Sequence, residues 1–349
     1  MPLEKSVVVP LSPDETFALI TEPSRLRRWQ AITARVDLRA GGDYRWTIVP
    51  GNSASGTFTE IEPGRRVVFT WGWEGSADLP PGTSTVSITL EPAPGGTIVR
   101  LVHEGLTDEQ AASHAEGWTH YLGRLAEAAA DGDAGPDEWG AASPDLDAIK
   151  AAEATLAICQ RVLRGVSETG YHNATICTKF DVTQLADHLI GSITFLGMAA
   201  GAGMPTPGGA ATPGGADGPG GAATPGGAAT PGSAGATLEE RLAAAAQPAL
   251  ETWNARGLDG TVKIGPQEMP AAAALGIFSI ECLVHAWDFA QATGQRFSVP
   301  DALTEHVLGV ARQVITPEGR SGGNFGPAIP VDPDAHVLAR LIAFTGRAA

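Results

Sequence analysis

The first third of the chain alternates short apolar and polar runs in the order strand, helix, six strands, helix. A β-prone run at 5–9 leads into Ser-Pro-Asp-Glu at 12–15, which is a capping box with proline at the first helical position. Residues 107–130 predict a long final helix with Thr107 as its N-cap. The six strands are predicted at 33–38, 43–49, 55–61, 66–74, 84–91 and 97–103. This order predicts one curved antiparallel sheet wrapped around the long helix.

Helical spacing of apolar residues dominates the rest of the chain. The stretch 131–145, rich in Gly, Pro and Asp, predicts a linker between the two patterns. Pro248 predicts a kink or a break within the third of the helices that follow. These helices are predicted at 146–167, 182–200, 238–255, 271–293 and 303–315. The pattern therefore predicts an α+β protein with two domains, 1–130 and 146–349, of which the second is an all-α bundle.

Residues 201–236 interrupt the helical pattern with a repeated unit of glycine, alanine, proline and threonine. The stretch carries almost no charge and almost no large side chain, so it cannot bury enough apolar surface to offset its ordering entropy. It is predicted to be a disordered loop inside the second domain.

The charge and the cysteine content narrow the range of partners and compartments. A formal net charge of −16 offers no basic stripe to nucleic acid and disfavours binding to anionic membranes. The three cysteines, at 159, 177 and 282, form neither a disulfide framework nor a CxxC motif. The N-terminal residues lack the basic start and apolar core of a signal peptide, and no apolar run approaches about 18 residues. We therefore expect a cytoplasmic protein that binds neither nucleic acid nor membrane.

Glu281 and His285 lie four residues apart on one predicted helix, and His188 lies on another. Positions i and i+4 share a helix face, so both side chains can reach one ion. If the two helices pack side by side, two imidazoles and a carboxylate converge inside the bundle. Three protein ligands leave a coordination position open for water or substrate, as in catalytic metal sites. The alternative is that the spacing is accidental and the histidines are ordinary exposed or hydrogen-bonded ones.

Two residues beside this trio have predicted roles of their own. Asp288 lies three residues after His285 and is a candidate to orient its imidazole, because metal-bound imidazoles usually donate to a carboxylate. Helix packing is the alternative role for Asp288. Cys282 follows Glu281 and points off the ligand face, so we expect a buried structural cysteine.

Large aromatic residues are candidates to line a cavity between the sheet and the long helix. Trp71 and Trp73 are two apart on one predicted strand, so they face the same side of the sheet, and Trp118 lies on the helix. His103 is a candidate polar group in that cavity. The alternative is that the tryptophans simply fill the core, which is the commonest role of buried aromatic residues.

The N-terminal pattern resembles the START-like (SRPBCC) superfamily and, within it, the homologues of the activator of heat-shock ATPase. The resemblance covers about residues 1–130 and is carried by "SPDETFALITEPSRLRRW", "GGDYRW", "RRVVFTWGWE" and "HAEGWTHYLGRLAEAA". It implies a helix-grip fold with an apolar pocket. It implies no particular chemistry, because relatives include carriers and binding proteins.

The C-terminal pattern resembles the metal-binding domain of the mycothiol-dependent maleylpyruvate isomerase family, within the DinB-like four-helix bundles. The resemblance spans about residues 146–347 and is carried by "ICTKFDVTQLADHLIGS", "IECLVHAWDFAQATGQ" and "NFGPAIPVDPDAHVLARLIAFTGR". It implies that the family's His, Glu and His metal ligands fall on His188, Glu281 and His285, and imidazole plus carboxylate suits zinc best. Phe180 departs from the family's common tryptophan.

Two functions follow from these expectations. The first is a divalent-metal enzyme, a thiol-dependent transferase or isomerase with mycothiol as cosubstrate and a small electrophilic or apolar substrate, because a bound metal lowers the pKa of a thiol toward neutrality. The second is a non-catalytic protein that binds a small molecule in the START-like pocket or serves a stress response. An occupied and open metal site would favour the enzyme.

Overall fold

The computed structural model describes residues 2–141, 145–177, 179–203, 235–317, 320 and 325–348. Most of the segment predicted to be a disordered loop, residues 204–234, lies outside the described residues, as do residues 142–144 of the predicted linker.

An antiparallel sheet of seven strands forms the N-terminal part. The strand order is β1-β7-β6-β5-β4-β3-β2, so consecutive strands are neighbours except that β1 closes the sheet against β7. The strands are β1 Leu3–Val9, β2 Thr33–Val36, β3 Asp43–Val49, β4 Asn52–Glu62, β5 Arg66–Trp71, β6 Ser84–Ala93 and β7 Gly96–Glu104. All seven predicted strands are present, and their short hairpin connections explain the antiparallel order.

Three helices accompany this sheet. α1 (Pro13–Thr21) begins with the predicted capping box of Ser12 and Glu15, and the short α2 (Pro23–Leu26) follows it. α3 (Asp108–Asp131) begins with a capping box of Thr107 and Gln110 and ends at Gly132 in the left-handed conformation. The buried face of α3 packs on the aromatic side chains of the sheet, which confirms the predicted helix-grip arrangement.

The strand predicted at 66–74 ends earlier, at Trp71. A Cβ at Gly72 would lie 2.1 Å from the Pro80 carbonyl oxygen, so the chain passes this point only as glycine. Trp73 then forms a single bridge with Ala54 and donates its N–H to the Leu79 carbonyl at 2.8 Å. The two tryptophan rings nevertheless lie on the same side, with centroids 5.4 Å apart.

The C-terminal part is helical, as predicted. After the short α4 (Glu138–Ala141), helix α5 packs on α7 and α8, and α6 packs on the same two helices. The bounds are α5 Ala148–Arg164, α6 Val182–Ala200, α7 Leu238–Arg256, α8 Ala271–Thr293, α9 Asp301–Val314 and α10 Val337–Phe344, with a 3₁₀ turn at Glu168–Gly170. Leu156, Leu189 and Phe278 are among the fully buried side chains of their common core.

The structure corrects two local expectations for this part. The predicted break at Pro248 is absent, because Pro248 lies inside α7, which continues as one helix through it. Since proline removes only one N–H and α7 is held by a buried face of Leu242, Leu250 and Trp253, packing outweighs the missing bond. In addition, a two-stranded hairpin, β8 (Thr261–Ile264) with β9 (Gln267–Pro270), precedes α8 in a region predicted to be all-α.

Helix α8 is long and apolar enough to cross a membrane by composition, but 78% of its most apolar window is buried inside the protein. That burial is what a central core helix requires, because an all-round apolar helix must be enclosed.

Buried polar contacts join the two parts of the chain. The Arg27 guanidinium pairs with Glu239 at 2.7 Å, and both side chains are almost fully buried. Glu153 on α5 accepts the N–H of Gly51, in the β3–β4 turn, at 2.6 Å. Ile32 packs into the core of the helical part. The exact division into domains 1–130 and 146–349 stays a prediction.

Candidate functional site

Two neighbouring helices bring His188, Glu281 and His285 together. The N-cap Asp181 and Gln184 form a capping box that fixes the start of α6 and so places His188 in its second turn. Glu281 and His285 lie one turn apart on α8, which packs against α6. One ligand atom from each of the three side chains lies within 4.8 Å of the others. Their predicted role as metal ligands stays a prediction, but the predicted convergence is present.

The separations between these atoms suit a shared ion better than hydrogen bonds. Glu281 Oε2 lies 3.6 Å from His188 Nε2 and 3.5 Å from His285 Nε2. Ligand atoms at about 2.0–2.2 Å from a tetrahedral zinc ion lie roughly 3.3–3.6 Å apart, whereas hydrogen bonds to oxygen are shorter. Glu281 Oε2 is buried and has no hydrogen-bond partner among the described residues. The donor set therefore fits a small divalent cation.

Buried charge makes this site favourable for a cation. Burial by itself would raise the pKa of the Glu281 carboxyl, but the imidazoles of His188 and His285 hold it below its usual range. Burial opposes the charged form of His285, yet hydrogen bonding to Asp288 and the nearby Glu281 raise its pKa to about 9. The carboxylates of Glu281 and Asp288 are thus both ionised, and their negative charge attracts either a proton or a metal ion.

Asp288 has the orienting position predicted for it. It is fully buried, and its Oδ2 lies 2.9 Å from Nδ1 of His285. Since an ionised carboxylate only accepts, Nδ1 carries a hydrogen, and Nε2 faces Glu281. A metal ion bound there would replace the proton that the raised pKa keeps on Nε2. Burial would raise the pKa of Asp288, but His285 and Arg347 together lower it.

Arg347 completes this arrangement and was not predicted. Its Nε lies 2.8 Å from Asp288 Oδ1 and its Nη2 lies 2.8 Å from Oδ2, a bidentate pair that keeps the carboxylate charged and fixed. The two residues are 59 positions apart, so no local spacing signals the pair.

The site is open on the side of His188. The His188 side chain is 43% exposed, whereas Glu281 is 13% and His285 is 7% exposed. The Phe180 ring stacks on the His188 imidazole, with centroids 5.4 Å apart and planes 17° apart. An aromatic residue at 180 therefore limits the rotation of the exposed His188 ring, and phenylalanine can do this as tryptophan would.

The cysteines and the remaining acid near the trio do not add a ligand. Cys282 is fully buried, as expected. Asp187 pairs with Arg241 on α7 and points away from the trio. Cys177 is half-buried close enough to Arg347, Asp288 and Glu281 to interact with their charges, and burial raises the pKa of its thiol.

The second candidate site is a cavity of about 250 Å³ between the sheet and α3. Trp71, Trp73 and Trp118 are among the residues that line it. Its other walls are formed by Gln30, Ile48, Val49, Ser113, His114, Gly117, Tyr121 and Trp139. The indole N–H of Trp71 is buried without a hydrogen-bond partner among the described residues, so it is available to an acceptor on a ligand.

His103 does not line this cavity, contrary to expectation. It is fully buried behind Trp118, whose Nε1–H donates to His103 Nδ1 at 3.1 Å. His103 Nε2 lies 2.9 Å from the Ser84 hydroxyl, which in turn donates to the Trp71 carbonyl at 3.1 Å. Burial, with a contribution from His114, lowers the pKa of His103 to about 3. The neutral ring positions two cavity tryptophans rather than a ligand.

His114 is the histidine that lines the cavity. Its Nε2 accepts the Trp73 indole N–H at 3.2 Å, and its Nδ1 lies 2.8 Å from the Gln110 carbonyl. The i+4 hydrogen bond to Gln110 follows from helix geometry, but the pairing with Trp73 depends on how the sheet packs on α3.

Comparison with known families gives two separate matches. Residues 10–130 match the family described as activator of Hsp90 ATPase homolog 1-like protein. Residues 152–290 match the mycothiol maleylpyruvate isomerase N-terminal domain, which includes all three residues of the trio. The two matches confirm both resemblances drawn from the sequence.

Individual relatives match parts of the chain. An uncharacterized protein of Mycobacterium tuberculosis, found in two strains, is 34% identical over 106 residues, which cover 30% of this chain and 58% of the relative. An AHSA1-like protein from Rhizobium etli is 39% identical, and the match covers 42% of this chain and 92% of the Rhizobium etli chain, with a TM-score of 0.35. CalU16 from Micromonospora echinospora is 28% identical over 36% of this chain and 74% of its own, with a TM-score of 0.30.

Proposed function

We propose that the helical part of this chain is a divalent-metal site, with zinc as the ion, that serves a transferase or isomerase using a small thiol. The match to the mycothiol maleylpyruvate isomerase N-terminal domain supports a mycothiol-related, metal-binding role and makes mycothiol the thiol to test first. The substrate is a small electrophilic or apolar molecule. The protein acts in the cytoplasm, and the N-terminal domain, residues 1–130, contributes a binding pocket.

The proposal depends most on the unpartnered Glu281 oxygen. Oε2 is buried between two imidazole nitrogens at 3.6 and 3.5 Å, too far for good hydrogen bonds. A buried carboxylate oxygen without a partner costs free energy, so its retention between two further ligand atoms is best explained by an ion. Histidine, glutamate and histidine with one open position is a ligand set typical of catalytic zinc.

Each residue of the site has a role that its contacts support. Asp288 and Arg347 hold the His285 ring so that its Nε2 faces Glu281. Phe180 restrains the exposed His188 ring, and the gap beside His188 admits a substrate. A divalent ion bound here lowers the pKa of a thiol or water toward neutrality and makes it a nucleophile.

The thiol must come from outside the chain. Cys177 is the described cysteine that interacts with the charges of the site, and burial raises the pKa of its thiol, so it stays protonated at neutral pH. Cys159 and Cys282 are buried in the core. A low-molecular-weight thiol entering beside His188 is therefore the nucleophile that the site can use.

The direct test is to load the full chain with Co²⁺ in place of zinc and to add mycothiol. We expect a thiolate-to-cobalt charge-transfer band in the near ultraviolet that saturates with mycothiol. The His188→Ala variant should lose the band, while His172→Ala, the same change at a side chain that is 85% exposed outside the trio, should keep it.

A cobalt-loaded protein that shows d–d bands but no response to mycothiol would contradict the thiol-dependent function while leaving the metal site intact. Failure to bind cobalt at all would contradict both.

A second candidate function is non-catalytic binding of a small apolar molecule, with or without a stress-response role. The cavity of about 250 Å³ and the unpartnered Trp71 indole N–H favour an aromatic ligand that carries one hydrogen-bond acceptor. Binding of the environment-sensitive dye 8-anilinonaphthalene-1-sulfonate, with displacement by candidate ligands, tests this function. Its loss in Ser113→Trp, which fills the cavity from α3, would support the pocket, and dye binding unchanged by that variant would count against it.

A further inference from the structure

A polar cavity lies in the seam between the N-terminal part and the helical part. Its volume is about 60 Å³. Arg27, Arg124 and Gly135 line it from one side, and Gln160, Arg161 and Arg164 of α5 line it from the other. Neither the metal trio nor the aromatic cavity residues Trp71, Trp73 and Trp118 belong to this seam.

Most of the guanidinium groups here already have partners. Arg27 pairs with Glu239 at 2.7 Å, and Arg164 pairs with Asp133 at 2.6 Å. Arg124 instead donates to four backbone carbonyls, including those of Trp29 at 2.9 Å and Gly135 at 2.9 Å. Its nearest carboxylate, Asp137, is 3.7 Å away and also pairs with His120.

Arg161 is the exception. Within the described part of the chain its guanidinium forms neither a hydrogen bond nor an ion pair. Burial, with repulsion from Arg164 and Arg124, lowers the pKa of its guanidinium, and Asp133 opposes this only in part. The seam therefore holds one more guanidinium group than carboxylates, and the unmatched group is the half-buried one of Arg161. The four guanidinium groups are those of Arg27, Arg124, Arg161 and Arg164, and the three carboxylates are those of Asp133, Asp137 and Glu239.

Gln160 supplies an independent sign of a missing acceptor. Its side chain is 1% exposed, and its amide nitrogen has no hydrogen-bond partner among the described residues. Gln160 lines the same cavity as Arg161. Buried amide donors are paired in nearly all proteins, so an unpaired one beside an unpaired arginine indicates a common acceptor.

We propose that this seam binds a small oxyanion, either free or as the anionic group of a small metabolite, on Arg161 and Gln160. A volume of about 60 Å³ exceeds the roughly 10–15 Å³ that a single water requires and suits a phosphate, sulfate or carboxylate group. The planar guanidinium matches such oxygens in geometry, and a buried setting strengthens the hydrogen bonds.

The site would couple the two parts of the chain. Both parts contribute walls to the cavity, so a bound anion stabilises the arrangement in which they meet. The proposal is independent of the metal site, because it uses none of the residues of the trio and none of their supporting groups.

The test is isothermal titration of the full chain with inorganic phosphate, sulfate and acetate, each against sodium chloride of equal ionic strength. We expect one site per chain with millimolar or tighter affinity for at least one oxyanion and none for chloride. Preference for phosphate or sulfate over acetate would indicate a tetrahedral anion, and the reverse order a carboxylate. Absence of binding by all three in the wild-type protein would overturn the proposal.

Matched variants locate the site. Arg161→Gln should weaken binding at least about tenfold, because it removes the charge-assisted hydrogen bonds. Arg65→Gln, the same charge change at a side chain that is 78% exposed in the turn between β4 and β5, should leave the affinity unchanged. Gln160→Met keeps the volume and should weaken binding about threefold or more. Equal affinities in wild type, Arg161→Gln and Gln160→Met would place the anion elsewhere and overturn the assignment.

Discussion

His103 and His285 are buried to nearly the same degree, with 0% and 5% exposure, yet their surroundings differ completely. His103 contacts an indole and a hydroxyl, and burial lowers its pKa to about 3. His285 lies beside two carboxylates, which raise its pKa to about 9 against the opposing effect of burial. Burial alone therefore does not determine the charge of a buried histidine, and the partners do.

This difference separates the uses of the two parts of the chain. Around His103 every described polar contact is neutral, which suits a cavity for an apolar ligand. Around His285 the acids Glu281 and Asp288 and the base Arg347 form an ionic network that suits a cation. The same residue type thus supports an aromatic wall in one region and belongs to an ionic network in the other.

The largest stability change is expected at His103. Replacing it in His103→Phe leaves the Trp118 indole N–H buried without an acceptor, which should lower the free energy of unfolding of the N-terminal part by about 1–3 kcal/mol. His103→Gln retains an acceptor and should lose less. Urea unfolding followed by tryptophan fluorescence measures both, since six of the eight tryptophans lie before residue 146. Equal losses in the two variants would show that the hydrogen bond to Trp118 is unimportant.

The corresponding change in the helical part is Asp288→Asn. The neutral amide can still accept the His285 Nδ1–H, but it lacks the charge that strengthens this hydrogen bond and pairs with Arg347, so we expect zinc affinity to fall by about 10–100-fold. Competition with a chromophoric chelator measures the affinity. The control is Asp301→Asn, which alters an exposed Asp–His pair with His336. An Asp288→Asn protein that remains folded with wild-type zinc affinity would contradict the orienting role.

Acid should destabilise the N-terminal part through His103. In the unfolded chain His103 is protonated below the pKa of an exposed imidazole, about 6.5. In the folded protein it is protonated only below about pH 3. Stability should therefore fall as the pH falls through this window, by up to about 1.4 kcal/mol per unit, and should not depend on His103 above it. His114, whose ring centroid is 5.1 Å away, also has a lowered pKa, so the relevant quantity is the difference in slope between wild type and His103→Gln. Identical slopes would contradict the prediction.

The smallest effect is expected from Phe180→Ala. Removing the ring that stacks on His188 frees the exposed imidazole, and a loss of about 0.5–1.5 kcal/mol corresponds to roughly two- to tenfold weaker zinc binding. Phe195→Ala, at a 46% exposed position on α6, the helix that carries His188, is the matched control. Phe180→Trp should keep the affinity, and the chelator competition described above distinguishes the three variants.

The sequence predicts features that repeat at short range. Strand alternation, capping boxes and the i, i+4 spacing of Glu281 and His285 are local, and all of them are present in the structure. The sequence predicts that the trio converges only if α6 packs against α8. The two helices do pack together, because both have apolar faces that must be buried.

Features that depend on long-range packing could not be predicted. Arg347 reaches Asp288 across 59 residues, and Gln160 and Arg161 face the N-terminal part only because α5 packs there. The sequence made His103 a candidate polar group in the cavity, but it could not indicate that His103 lies behind Trp118. Depth within a layer depends on the packing of several elements, and no single pattern encodes it.

The central claim is that His188, Glu281 and His285 hold a divalent ion. Elemental analysis of the purified full chain, beside a folded His188→Ala/His285→Ala double variant, tests it most directly. The account predicts about one equivalent of zinc or another divalent metal in the wild-type protein and none in the variant. A wild-type protein that contains no metal and takes up none when divalent ions are added would contradict it.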